Sequence, residues 1–85
     1  MQPSTTTAIA TLSADIDEAI DVVESAIGEP AASEDVREAR ATVARIRERY
    51  EALVATLAEP ERSEAQRAIG LKVAKMTGLL LRLES

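Results

Sequence analysis

Eighty-five residues, with 15 acidic side chains, 10 basic ones, no cysteine and no histidine, make a short acidic chain of net charge −5. That length suits one domain, whose single core buries only about 60 % of the surface the unfolded chain exposes. Disulfides are excluded, as are thiolate and imidazole metal sites, which leaves helix packing and association as the supports of a small fold.

The chain is rich in alanine, uses arginine more than lysine, and has one aromatic residue, Tyr50. Such a composition favours helix almost throughout and offers little material for strands. The first twenty residues carry no basic segment and no long apolar run, so no signal peptide is expected. No window reaches the roughly 18 uninterrupted apolar residues of a membrane span.

The first helix is expected over about residues 5–27, capped by Ser4 or one of Thr5 to Thr7, whose hydroxyls accept from orphan backbone N–H groups. Ile9, Leu12, Ile16, Ile20, Val23 and Ile27 recur at three- and four-residue steps and trace one apolar face. Asp17, Glu18, Asp21 and Glu24 are expected on the other side. Gly28 is a candidate C′ residue, and Pro30 prevents resumption of the helix, so "GEPAAS" reads as the linker.

The second helix is expected over about 34–58, with Ser33 as N-cap and Glu34 and Asp35 at the positive end of the helix dipole. Val36, Ala39, Val43, Ile46, Tyr50, Leu53 and Leu57 form an unbroken heptad seam, which suits antiparallel packing. Pro60 closes the segment.

"SEAQ" at 63–66 predicts a capping box, Ser63 reaching the N–H of Gln66 and Gln66 reaching back, at the head of a third helix over about 64–83. Its core face is Ala65, Ile69, Val73, Met76, Leu80 and Leu83. Two short linkers make neighbouring helices antiparallel. The expected fold is all-α, a three-helix up-down-up bundle in a single domain, completing its core by oligomerisation. An extended helical hairpin that forms its core only in an oligomer is the competitor.

The third helix carries more apolar circumference than one stripe. In "GLKVAKMTGLLLRL", residues 70–83, Gly70, Ala74, Gly78 and Leu81 occupy an arc about a third of a turn from the core face, with Leu71 beyond it. Glycine costs about 1 kcal/mol in a helix interior relative to alanine. Small residues four apart admit a second backbone at close range. Gly70, Leu71, Ala74, Gly78 and Leu81 are therefore the expected partner interface, a homodimer being favoured. The competing expectation is that helix 3 sits between its two siblings and that one of them fills the small stripe. Leu71, Leu79 and Leu81 argue for a partner, since two neighbours do not readily hide three leucines beyond a full stripe.

Charge is divided unevenly. Residues 1–35 hold eight acids and no base, and residues 36–85 hold seven acids and ten bases, so the parts stand at −8 and +3. The plain expectation is that helix 1 faces the arginines of helix 2, Arg40, Arg47 and Arg49, in weak surface pairs. The functional alternative is an acidic inhibitor or nucleic-acid mimic that docks Asp17, Glu18, Asp21 and Glu24 on a basic target. Direct nucleic-acid binding does not fit an acidic chain without aromatic stacking platforms. A membrane-surface helix using Arg67, Lys72, Lys75 and Arg82 lacks the aromatic anchors of that class.

Catalysis is not expected. The common general bases and nucleophiles are missing, there is no phosphate-binding glycine loop, and the carboxylate pairs Asp17–Asp21 and Glu48–Glu51 have the ordinary spacing of solvated helix faces. No cofactor or metal is expected, because the acids avoid the core positions of the bundle. The segments "LSADIDEAID" (12–21) and "LLLRL" (79–83) resemble the helical chorismate mutases, whose three helices interlock in a dimer. That resemblance implies a dianion site with an arginine on the first helix. Helix 1 has no Arg or Lys, and Ser13 stands about where the arginine is needed, so the likeness extends to architecture and not to chemistry. The expected function is a cytoplasmic helical module that binds a protein or its own copy: an adaptor, a chaperone-like subunit or an assembly component.

Overall fold

The computed structural model describes residues 2–27 and 33–84 of the chain. Three helices, α1 (Pro3–Ile27), α2 (Ser33–Thr56) and α3 (Glu61–Glu84), pack each against the other two in an up-down-up bundle. The helices lie side by side in a body of 44 × 18 × 16 Å. No helix of the described residues is long and apolar enough to cross a membrane.

The core follows the heptad faces. Leu12, Ile16, Ala19, Ile20 and Val23 of α1, Ala39, Val43 and Ile46 of α2, and Ala65, Ile69 and Met76 of α3 are buried. Ile9, Ile27, Tyr50, Leu53, Val73, Leu80 and Leu83 pack around them, half-buried. Leu79 joins this ring, so one of the three leucines expected to seek a partner is taken up by the chain's own core. Among the described residues, no buried side chain is polar or charged, so burial here carries no desolvation cost of a polar group.

Helix ends depart from the expected caps, for backbone reasons. α1 begins at Pro3, whose fixed φ suits the first helical position. The Gln2 carbonyl accepts from the Thr6 N–H at 3.0 Å, so Ser4 to Thr7 lie within the first turn and not ahead of it, and the Thr6 hydroxyl turns back to the same carbonyl at 3.3 Å. Ser33 is the first helical residue of α2 and not the residue before it. Gly28, Pro30 and most of the expected linker lie outside the described residues.

The α2–α3 turn replaces the expected capping box with a different device. α2 ends at Thr56, whose hydroxyl donates to the Leu53 carbonyl at 2.7 Å. The Leu57 N–H tightens onto Val54 O at 3.2 Å, a 3₁₀-type closure. Arg62 then folds its guanidinium over the turn, Nε and Nη2 donating to the Leu57 carbonyl at 3.1 and 2.8 Å. The Glu59–Pro60 peptide is cis, and the Pro60 carbonyl accepts from the Glu64 N–H at 3.1 Å, which starts α3 at Glu61. Ser63 is thus inside the first turn, and its hydroxyl donates to the Glu59 carboxylate and not to Gln66. The helix starts two residues before the box would begin, at Glu61, whose carboxylate suits the positive end of the helix dipole.

Candidate functional site

The three interhelical seams are unequal. α1 and α3 share the most contact, and α2 and α3 the least. Between α1 and α3, Lys72 reaches across to both carboxylate oxygens of Asp17 at 3.0 Å and to the Ser13 hydroxyl at 2.9 Å. Between α1 and α2, Arg49 meets Asp15 at 2.7 Å, the pairing expected of the acidic first helix. Arg40 does not follow that pattern: it turns to Glu84 of α3 at 3.5 Å. Residue type named the charges but not the azimuth, and Arg40 lies at the end of α2 that meets the end of α3. These groups remain partly exposed, so each pair is worth no more than about 1 kcal/mol.

The open α2–α3 seam is the candidate interface. A groove of about 470 Å³ runs along it, lined by Arg47, Tyr50 and Glu51 of α2 and by Gly70, Val73, Ala74, Thr77, Gly78 and Leu81 of α3. A second recess continues it past Tyr50 and Gly70 towards Ser63, Gln66, Arg67 and Leu71. All five expected interface residues therefore border this one seam. Leu71 is 80 % exposed and Leu81 64 %. These two and Val22 of α1 are the large apolar side chains left outside the bundle among the described residues.

The two glycines differ. A Cβ built on Gly70 would stand 3.3 Å from the Tyr50 hydroxyl oxygen, so that notch is occupied from within the chain. A Cβ on Gly78 would meet nothing within 4 Å. Neither glycine has a positive φ, so neither is required by the backbone. At Gly70 the competing expectation, that a sibling helix fills the stripe, describes the arrangement. At Gly78 the space is open.

Tyr50 is the residue sequence reasoning underplayed. The heptad put it in the core seam, and its ring is there, half-buried. Its hydroxyl oxygen stands against Gly70, and the residue lines both recesses of the seam. The signal was present, since the polar tip of a tyrosine is usually held at a wet or hydrogen-bonding boundary.

The acidic alternative also has a definite location. Asp17 is engaged by Lys72. Glu18 and Asp21 instead join Asp35 and Glu38 of α2 around a groove of about 440 Å³ that includes Val22, Ser25 and Ala26. Glu24 is exposed and is not part of that lining. The four acids expected on one face are thus divided between two sides of α1. No group of three or more metal-ligating side chains able to hold an ion occurs among the described residues.

No curated protein and no solved structure matches the chain. The sequence model of the embryogenesis-like protein helical domain covers residues 7–85, from the first helix through the third. The chain belongs to the embryogenesis-like protein helical domain family.

Proposed function

We propose that this chain is a protein-interaction module that binds by helix-on-helix contact through the exposed face of α3, in the manner of an adaptor, a chaperone-like subunit or an assembly component of the cytoplasm. The observation that carries this reading is the pairing of two exposed leucines, Leu71 and Leu81, with an unfilled notch at Gly78 on the open α2–α3 seam. A helix laid there would bury apolar surface at about 25 cal/mol per Å². Membership of a family defined by a helical domain accords with a binding role. Binding, and not catalysis, also accords with a chain that has neither His nor Cys.

A second reading rests on the groove between α1 and α2, where Glu18, Asp21, Asp35 and Glu38 converge. There the chain would dock on a basic surface of its target, as an acidic inhibitor does. Salt separates the two, because contacts between exposed charges fade as the Debye length falls to about 3 Å at 1 M, whereas apolar burial persists.

The test is affinity purification of the tagged chain, with a second, differently tagged copy present so that self-association is also scored. Proteins held by the wild type at high salt should be lost from a Leu71→Glu/Leu81→Glu variant of unchanged helicity. Retention of the same set by that variant, or its loss only from a Glu18→Gln/Asp21→Asn variant, would overturn the α3 reading.

A further inference from the structure

We draw no further inference here: the strongest candidate, the exposed face of α3 along the α2–α3 seam with Leu71, Leu81 and the open space at Gly78, belongs to the surface already described, and nothing in the structure shows what covers it.

Discussion

Replacing Gly78 with alanine is the most direct probe of the open seam. The new methyl group would meet nothing within 4 Å of its Cβ, and the helical φ there is one any residue adopts. The structure therefore sets no steric term against the substitution in the isolated chain. What remains is the difference in intrinsic helix preference, about 0.8–1 kcal/mol in favour of alanine, since glycine loses the most backbone freedom on folding. For a domain of 60–100 residues, 1 kcal/mol moves Tm by about 4–8 °C. Thermal unfolding of dilute, monomeric protein followed by circular dichroism should show that rise. Gly70→Ala is the internal control: its Cβ would press on the Tyr50 hydroxyl at 3.3 Å, so the ring must yield by a few tenths of an ångström and the gain should be smaller. A Gly78→Ala chain that melts at or below the wild type when dilute would refute the reasoning, because it would mean the space at Gly78 is filled within one chain.

Other substitutions test the remaining supports. Met76→Ala removes a fully buried side chain at the centre of α3 and should cost about 2–5 kcal/mol, enough to unfold much of so small a domain; urea titration reads it as a lower midpoint. Arg62→Ala deletes the two donors that close the α2–α3 turn on the Leu57 carbonyl and should cost about 1 kcal/mol, with faster amide exchange at the end of α2. Asp15→Asn weakens the half-exposed pair with Arg49; the loss should stay below about 1 kcal/mol and vanish in 1 M salt. Leu71→Glu alters a side chain that is mostly in solvent and should leave monomer stability within about 0.5 kcal/mol of the wild type.

Periodicity determined the bundle. Once Leu12, Ile16, Ile20 and Val23 recur at helical steps, and Ala39, Val43 and Ile46 do the same, each helix has one face to bury, and short connections leave antiparallel neighbours as the simple solution. The small arc Gly70–Ala74–Gly78 was legible in the same way, as an angle around α3. An angle on one helix does not say which neighbour stands there. Only the tertiary packing decided that Tyr50 fills the notch at Gly70 while Gly78 stays open, that Leu79 enters the ring around the core while Leu71 and Leu81 do not, and that Asp17 pairs with Lys72 while Glu18 and Asp21 line the groove beside α2. The turn was decided there too. Several residues near Ser4 and Ser63 have capping chemistry, and the path of the backbone chose between them: the Gln2 and Pro60 carbonyls open α1 and α3, and Arg62, which no local motif singles out, closes the carbonyl at Leu57. Sequence spacing is a property of one helix at a time, whereas a neighbour, a notch or a cap exists only once the helices are set beside one another.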